Sequence, residues 1–342
     1  MPPPAVDPPA PHALRVVAIG GGTGLSTLLR GLRRHVSVPG RPAAEPTEIS
    51  DLAAVVTVTD DGGSSGRLRK DFNMLPPGDL RNCMVALSEE EDLLVKLFSH
   101  RFRSGDALEG HSFGNLFVAA LTEVTGDFAH AIQLASQILA TRGRIFPVTT
   151  ANATLVAHMT DGSLVRGETN ITASHERIAE LRLDPPDAAA MPETLRAIES
   201  ADLITVGPGS LYTSLITNLL VKGIPEALAR ARGTRVFICN LMTQANESLG
   251  LSASEHIQRI YEHTGAPIFD YAILHAASFS PQTLARYAAE QATPIVADIE
   301  RIEALGVRCI TGDFASEDSV VRHNSTRLAS AVLALGQQQR SR

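Results

Sequence analysis

Short apolar segments that end in glycine-rich turns and lead into helical patterns recur along this chain of 342 residues. Leu14–Gly20 is the first of them, and leucines at helical spacing follow its glycines. Leu203–Val206 repeats the arrangement before Gly207-Pro208-Gly209. A buried strand, a tight turn and an amphipathic helix together form the repeating unit of parallel sheets. We therefore predict a Rossmann-like, doubly wound α/β fold with a mostly parallel sheet.

The alternation of strands and helices is interrupted in the first half of the chain. Between about residues 71 and 180, amphipathic helical patterns precede a hairpin signal at Asp161-Gly162-Ser163. We predict that this helical and hairpin segment is an insertion that covers one side of the site. The remaining predicted strands are Leu52–Thr59, Arg235–Asn240, Tyr271–His275, Thr293–Ala297 and Val307–Thr311.

A single α/β domain is predicted to extend from residue 14 to residue 336. Residues 1–13 contain six prolines and neither a basic nor an apolar region, which indicates a disordered lead and not a signal peptide. Residues 337–342 are expected to form a disordered tail.

Composition excludes several classes of protein. The net charge of −7 arises without a long acidic run and argues against duplex nucleic acid as a partner. No apolar run approaches the roughly 18 residues of a membrane helix. The three cysteines, Cys83, Cys239 and Cys309, lack the spacing of a metal site, which is typical of reduced thiols in the cytoplasm.

The first glycine turn has the composition of a phosphate-binding loop. Glycines between a strand and a helix let backbone N–H groups approach a phosphate, and the helix start adds positive potential. Leu25 stands where the dinucleotide fingerprint needs its last glycine, and no lysine follows as in a P-loop. A turn that serves packing alone is the alternative. The candidate ligand-binding residues are Gly21, Gly22, Thr23 and Gly24.

A second polar turn follows the predicted strand Leu52–Thr59, at the edge where open sheets bind ligands. Its adjacent carboxylates, Asp60 and Asp61, could hold Mg²⁺ or a ribose hydroxyl, although no cofactor is required by the sequence. Hydroxyls and a guanidinium beside them suit phosphate or sugar oxygens. A polar turn without ligand is the alternative. The other candidates here are Gly62, Gly63, Ser64, Ser65 and Arg67.

Three more polar turns precede helices. Asp79, with Arg81 and Asn82, starts one of them, and Asp79 could equally be a helix N-cap. His111 and Asn115 belong to the next, where His111 is either a ligand or a structural histidine. In the last, glycines flank a proline and hydroxyls follow, which favours a second phosphate-type turn. Its candidates are Gly207, Pro208, Gly209, Ser210, Tyr212 and Thr213, together with Asn240 at the end of the next strand.

These motifs together resemble those of the CofD/YvcK-like proteins. The segments are GGGTGL, VTDDGGSSGRLR, PPGDLRN, HSFGNL and GPGSLYTSL, and the resemblance covers about Leu14 to Leu335. Within the family the chain is similar to the YvcK branch of bacterial gluconeogenesis factors. The resemblance implies a Rossmann-like fold, UDP-sugar binding, UDP-N-acetylglucosamine above all, and a regulatory link between carbon metabolism, cell shape and peptidoglycan synthesis.

The resemblance also implies residues at the C-terminal end. The YvcK-like pattern has a tyrosine and an arginine at Tyr287 and Arg322, for stacking a uracil and pairing with a diphosphate. A core tyrosine and a solvated arginine are the alternative. The family also carries a kinase-accessible hydroxyl near its C-terminus, which here would be Ser325 or Thr326, although hydroxyls at helix starts are commonly caps.

The sequence is compatible with three functions. The first is a UDP-sugar sensor without catalysis, which the absence of a nucleophile and base arrangement favours. The second is a transferase like the 2-phospho-L-lactate transferases of the CofD branch, with Mg²⁺ at the acidic pair. The third is a scaffold with a vestigial pocket. Regulatory proteins, a Ser/Thr kinase and further copies of the chain are the expected partners.

Overall fold

The computed structural model describes residues 13–37, 48–88, 93–174, 176–245 and 247–340. Its strands, in chain order, are β1 (Leu14–Gly20), β2 (Ile49–Val56), β3 (Arg144–Pro147), β4 (Thr154–Met159), β5 (Leu164–Arg166), β6 (Ile178–Asp184), β7 (Leu203–Val206), β8 (Thr234–Ile238), β9 (Tyr271–His275), β10 (Arg308–Gly312), β11 (Ala315–Glu317) and β12 (Val321–His323). The predicted N-terminal lead lies, up to residue 12, outside the described residues.

A seven-stranded parallel sheet in the order β3-β2-β1-β7-β8-β9-β10 forms the centre of the molecule. The central strands are apolar on both faces because helices cover both sides of a parallel sheet. The strand order reverses at β1, which pairs with β2 on one side and with β7 on the other. The predicted Rossmann-like, doubly wound fold is therefore confirmed.

The helices alternate with these strands. They are α1 (Gly22–Leu32), α2 (Gly63–Phe72), α3 (Gly78–Leu87), α4 (Leu93–Ser99), α5 (Phe113–Thr125), α6 (Phe128–Ile138), α7 (Glu168–Ala173), α8 (Pro192–Ser200), α9 (Thr217–Leu219), α10 (Ile224–Arg230), α11 (Ala253–Thr264), α12 (Pro281–Ala288), α13 (Ile299–Ala304) and α14 (Ser325–Arg340). A π-helix, Leu211–Ile216, precedes α9. No helix in the described part of the chain is both long and apolar enough to span a bilayer.

The predicted insertion is two separate pieces in the structure. Helices α3 to α6 lie between β2 and β3, whereas β4, β5 and β6 form a small antiparallel sheet of their own. Strand β3 lies within the predicted 71–180 segment but pairs in parallel with β2, so it belongs to the main sheet. Four residues that end in Pro147 give too short a pattern to be recognised as a strand.

Two other boundaries differ from the prediction. The last helix continues to Arg340, so residues 337–340 are not a disordered tail, and residues 341–342 lie outside the described residues. Gly336 lies within this helix, where its lack of a side chain lets the helix pack closely on Leu14. Thr293–Ala297 forms one bridge, Met242 to Pro294, instead of a strand, since proline cannot donate to a ladder.

Candidate functional site

A cleft of about 500 Å³ lies at the carboxyl ends of β1, β7 and β8. This is the reversal point of the strand order, where open α/β sheets bind their ligands. The structure brings together here ten of the predicted ligand-binding residues: Gly21, Gly22, Thr23, Gly24, Pro208, Gly209, Ser210, Asn240, Tyr287 and Arg322.

The two glycine turns pack directly on each other at the bottom of the cleft. A Cβ on Gly24 would overlap the Pro208 carbonyl oxygen and lie 2.7 Å from the Pro208 carbonyl carbon. A Cβ on Gly21 would lie 2.6 Å from Thr57 Cγ2. Gly22 has a φ of +59°, a backbone conformation that favours glycine. Glycine is therefore needed in the first turn both for backbone geometry and for the close approach of Pro208.

Asp79 reaches from α3 to the start of α1. Its Oδ2 accepts a hydrogen bond of 2.7 Å from the Gly22 N–H. Asp79 is not the N-cap of α3, because Pro77 holds that position. Burial raises the pKa of Asp79 to about 6, against the opposing effect of the Gly22 bond. One N–H group of the first glycine turn, that of Gly22, is thus already bound to a carboxylate of the protein. The Thr23 and Gly24 N–H groups lie in the first turn of α1, where backbone N–H groups have no acceptor within the helix.

Asn240 fixes the second glycine turn. Its Oδ1 accepts from the Gly209 N–H at 3.2 Å, and its Nδ2 donates to the Gly209 carbonyl at 2.8 Å. Gln244 donates to the Ser210 hydroxyl at 3.3 Å. Gly207, which precedes this turn with a φ of +97°, lies beside Ile238 O and does not line the cleft.

Tyr212 and Thr213 do not line the cleft either. The Tyr212 side chain is buried with its hydroxyl 3.5 Å from Ile178 O and its ring edge-on to His263. Thr213 donates to the Glu247 carboxylate at 2.9 Å. The π-helix that follows the turn directs these two side chains into the core. Their predicted contact with ligand has no support in this geometry.

The positively charged side chains that line the cleft belong to α12 and to the β11–β12 hairpin. Arg286 and Arg322 line it, with Glu290 as the carboxylate among the lining residues. The exposed Arg322 guanidinium has no hydrogen bond or ion pair with any described residue, whereas Arg286 donates to Asp318 O at 3.1 Å. Tyr287 accepts a hydrogen bond of 2.9 Å from the Val321 N–H. Tyr287 thereby joins α12 to the hairpin that carries Arg322.

The predicted acidic pair lies beside the cleft and does not line it. Asp60 Oδ1 accepts from the Gly62 N–H at 2.9 Å. Asp61 Oδ1 accepts from the Thr169 N–H and hydroxyl at 2.8 and 2.7 Å. Within the described residues, no group of three or more His, Cys, Asp or Glu side chains could hold a metal ion. Mg²⁺ binding by Asp60 and Asp61 stays a prediction, since one or two carboxylates can hold this ion together with the phosphates of a ligand.

The other predicted residues lie on α2, on α3 and at or just before the start of α5. Ser64 links His111 Nδ1 at 2.9 Å with Asn115 Nδ2 at 3.1 Å. Burial, with the Arg67 charge next in effect, lowers the pKa of His111. Arg67 donates to Glu109 O. Gly63 and Ser65 also lie on α2, and Arg81 donates to Asn82 Oδ1 at 2.6 Å on α3.

Two half-buried carboxylates, Glu168 and Glu247, were not predicted from the sequence. Burial raises the pKa of Glu168 to about 9, with the charges of Asp60 and Asp79 adding to the effect. Thr59 donates to Glu168 at 3.3 Å. Glu247 accepts from the Tyr212 N–H at 3.3 Å, at the start of the π-helix, and burial raises its pKa. Neither residue lies in a motif, so only the fold reveals them.

Glu168→Gln should remove a pH dependence of stability. The folded protein keeps the Glu168 proton up to about pH 9, whereas the unfolded chain releases it near 4.5, so unfolding becomes easier as pH rises between these values. The variant has no carboxyl proton to release on unfolding, so it should raise the thermal midpoint at pH 8.5 by about 2 °C or more, with little change at pH 5. Calorimetry against Glu303→Gln, an exposed control on α13, tests this, and equal slopes in both variants would contradict it.

Ser325 and Thr326, the predicted phosphorylation sites, are the first residues of α14. The Thr326 hydroxyl is exposed and accepts from Arg34 Nη1 at 3.3 Å. The backbone carbonyl of Ser325 packs closely against Gly31 of α1. Of the two, Thr326 presents the more accessible hydroxyl.

Residues 16–315 match the sequence model of a protein family that is described as 2-phospho-L-lactate transferase CofD. A gluconeogenesis factor of Halalkalibacterium halodurans is 46% identical over 93% of this chain and 95% of its own length. The gluconeogenesis factor of Bacillus subtilis is 42% identical over 94% of this chain and 98% of its own length.

A crystal structure of a Bacillus halodurans protein of the UPF0052 family superposes with a TM-score of 0.88. It is 45% identical and covers 94% of this chain and 99% of that chain. The chain therefore belongs to the CofD family, as its motifs predict, and its relatives in that family are proteins named gluconeogenesis factor.

Proposed function

We propose that this protein binds a UDP-sugar, UDP-N-acetylglucosamine, in the cleft between its two glycine turns and acts as a regulator without turning the ligand over. The observation that carries the proposal is the Arg322 guanidinium, which has no partner among the described residues and lies in the same cleft as the N-terminus of α1. A guanidinium and a helix start both favour a diphosphate, and a planar guanidinium can hold it by two hydrogen bonds.

The size and composition of the cleft support a nucleotide sugar over a bare phosphate. A volume of about 500 Å³ lies within the range of small-molecule sites, far above what a single phosphate needs. Tyr287 offers a ring on which a uracil can stack. Ser210 and Gln244 supply side-chain hydrogen-bonding groups for sugar hydroxyls.

The names of the relatives support a regulatory role. Proteins 42% and 46% identical to this chain are called gluconeogenesis factor. We propose that the ligand reports on carbon supply and that the bound protein adjusts peptidoglycan synthesis and cell shape from the cytoplasm. Self-association and regulatory partners stay predictions.

A transferase is the second candidate, and the geometry of Asp79 favours it. This carboxylate accepts a hydrogen bond from the Gly22 N–H at the bottom of the cleft. Its pKa of about 6 suits a group that takes up a proton near neutral pH. The matching family model is described as 2-phospho-L-lactate transferase. On this proposal the protein would transfer a phosphate-linked group between a nucleoside diphosphate and a second substrate.

Calorimetry and product analysis distinguish the two candidates. The purified protein is titrated with UDP-N-acetylglucosamine, UDP-glucose, GDP and a deazaflavin, each with and without Mg²⁺. Micromolar or tighter binding of UDP-N-acetylglucosamine, with the ligand recovered intact, is the expected result. Formation of a product would replace the sensor by the transferase, and no binding of any of these compounds would reject both.

Phosphorylation at Ser325 or Thr326 also stays a prediction. A phosphate on Thr326 would lie at the positive start of α14 and beside Arg34, which favours its negative charge. Peptide mass spectrometry of the protein from its native cells should find a modified peptide containing these residues. Unmodified peptide alone, under every growth condition, would contradict the prediction.

A further inference from the structure

Helix α12 and the β11–β12 hairpin, which carry Tyr287 and Arg322, pack on the rest of the molecule through a small apolar cluster of their own. Its buried members are Leu241, Met242, Phe279, Ala315 and Val321, and Tyr287 packs against them. Phe314, the residue before the hairpin, still belongs to the main core. Within α12, all of which the structure describes, only Thr283 is buried. Elements with so few buried apolar side chains open locally at a lower free energy than a central sheet does.

Glu317 joins the hairpin to the start of α12. Its carboxylate accepts hydrogen bonds from the Ser280 hydroxyl at 2.6 Å and from the Ser280 N–H at 3.0 Å. Hydrogen bonds from the side chains of Ser280 and Thr283 lower the pKa of Glu317, so the carboxylate is ionised at neutral pH. Hydrogen bonds to an ionised acceptor are stronger than those between neutral groups. Glu317 does not line the cleft, so these bonds act on the position of the hairpin and not on a ligand directly.

Two further hydrogen bonds join the same two elements close to the cleft. The Val321 N–H donates to the Tyr287 hydroxyl at 2.9 Å, and Arg286 donates to the Asp318 carbonyl at 3.1 Å. The Arg286 guanidinium also lies 5.5 Å from the centre of the Tyr287 ring. Together with Glu317, these contacts connect the hairpin to the first and to the last turn of α12. A displacement of one element therefore carries the other with it.

The same two elements present side chains to the cleft. Tyr287 and Arg322 line it, and so does Val320 at the tip of the hairpin. The Val320 side chain is apolar but 48% exposed. Closing the cleft around a ligand would remove this apolar surface from water, which favours the closed arrangement.

We propose that α12 and the β11–β12 hairpin form a lid, which moves as one body and closes over the cleft when the UDP-sugar binds, and that Glu317 is the positioning residue that couples its two parts. The identity of the ligand rests on the proposed function, whereas the coupling is a property of the protein without ligand. Because Tyr287 and Arg322 lie on the same body, one closing motion brings both towards a ligand that the glycine turns hold.

Hydrogen exchange followed by mass spectrometry tests the coupling in the protein without ligand. Peptides covering Pro281–Ala288 and residues 315–323 should have protection factors within about threefold of each other and at least about tenfold below that of β8. In Glu317→Ala the two protection factors should differ by more than about fivefold, since the helix and the hairpin then open separately. Asp318→Ala is the matched control, because it removes a neighbouring exposed carboxylate and keeps the carbonyl that Arg286 uses.

The same measurement with saturating UDP-N-acetylglucosamine tests the closure. Exchange in both lid peptides should slow at least about fivefold. Calorimetric titration should show that Glu317→Ala binds the ligand at least about fivefold more weakly, although this residue does not line the cleft. Glu317→Gln keeps an oxygen acceptor for Ser280 and should recover part of the affinity. Asp318→Ala should bind like the wild type.

The results that would overturn the lid differ from those that would reject the proposed function. Unequal protection of the two peptides in the wild type, or protection as high as that of β8, would overturn the lid whether or not a ligand binds. Unchanged exchange with the ligand bound, or wild-type affinity in Glu317→Ala, would overturn it and leave the proposed function intact. If the wild type and every variant bind no UDP-sugar, the proposed function is rejected, and closure on that ligand with it.

Discussion

Gly24→Ala is expected to weaken UDP-N-acetylglucosamine binding by about 100-fold while the protein remains folded. The added Cβ would overlap the Pro208 carbonyl oxygen and lie 2.7 and 3.0 Å from Pro208 C and Gly209 N. All three atoms belong to the backbone, so the two glycine turns must separate by about 1 Å. A displacement of that size in both glycine turns would remove the shape on which the proposed tight binding depends.

Gly250→Ala is the matched control for this substitution. Gly250 has a positive φ of +75°, unlike Gly24, but an added Cβ there would meet no atom within 4 Å, and the residue is outside the cleft. Alanine there should cost about 1 kcal/mol of stability and leave the affinity unchanged. Calorimetric titration of both variants measures the difference. Wild-type affinity in Gly24→Ala would show that the ligand does not bind between these turns.

Arg322→Ala should weaken the same ligand at least about tenfold, with almost no change in the thermal midpoint. Arg322 makes no contact with a described charged group, so its removal leaves no partner unpaired, and only the diphosphate loses a charged hydrogen bond. Arg322→Lys should recover part of the loss, since it keeps the charge without the planar fork. Arg308→Ala, at the edge strand β10, is a control outside the cleft.

Tyr287 needs a pair of variants, because its hydroxyl also holds the Val321 N–H. Tyr287→Ala should weaken binding at least about tenfold through loss of the ring. Tyr287→Phe keeps the ring, so it should retain most of the affinity and lose some stability. If Tyr287→Phe binds as weakly as Tyr287→Ala, the position of the hairpin and not stacking is what matters. Wild-type binding by Arg322→Ala and Tyr287→Ala together would confine the site to the glycine turns.

Most strands of the main sheet could be predicted because each one shows its own apolar pattern in the local sequence. Leu14–Gly20 and Leu203–Val206 are apolar runs that end at glycine, and they appear as β1 and β7 with the predicted bounds. Strand β6, Ile178–Asp184, was missed inside the predicted insertion. Its polar residues alternate with apolar ones because only one face of the small sheet is covered.

The cleft could be predicted only in part. Glycine turns at strand ends identify its lower side from sequence, because parallel strands carry such turns to one edge. Tyr287 and Arg322 were reached through family resemblance, since no local pattern marks them. Asp79 illustrates what sequence could not give, because its bond to Gly22 joins residues 57 positions apart. Glu168 and Glu247 are likewise defined by distant neighbours.

The order of the strands also fixes when the cleft can form during synthesis. Strand β1 lies between β2 and β7, so the first glycine turn has no second turn opposite it until about residue 210 has left the ribosome. Arg322 comes from a hairpin more than a hundred residues later, and α14, which packs on α1 through Gly31, follows that hairpin. A chain released early, after β9 for example, would hold most of the sheet and both glycine turns but neither Tyr287 nor Arg322. All the residues that line the cleft are therefore present together only once the chain has been synthesised past Arg322.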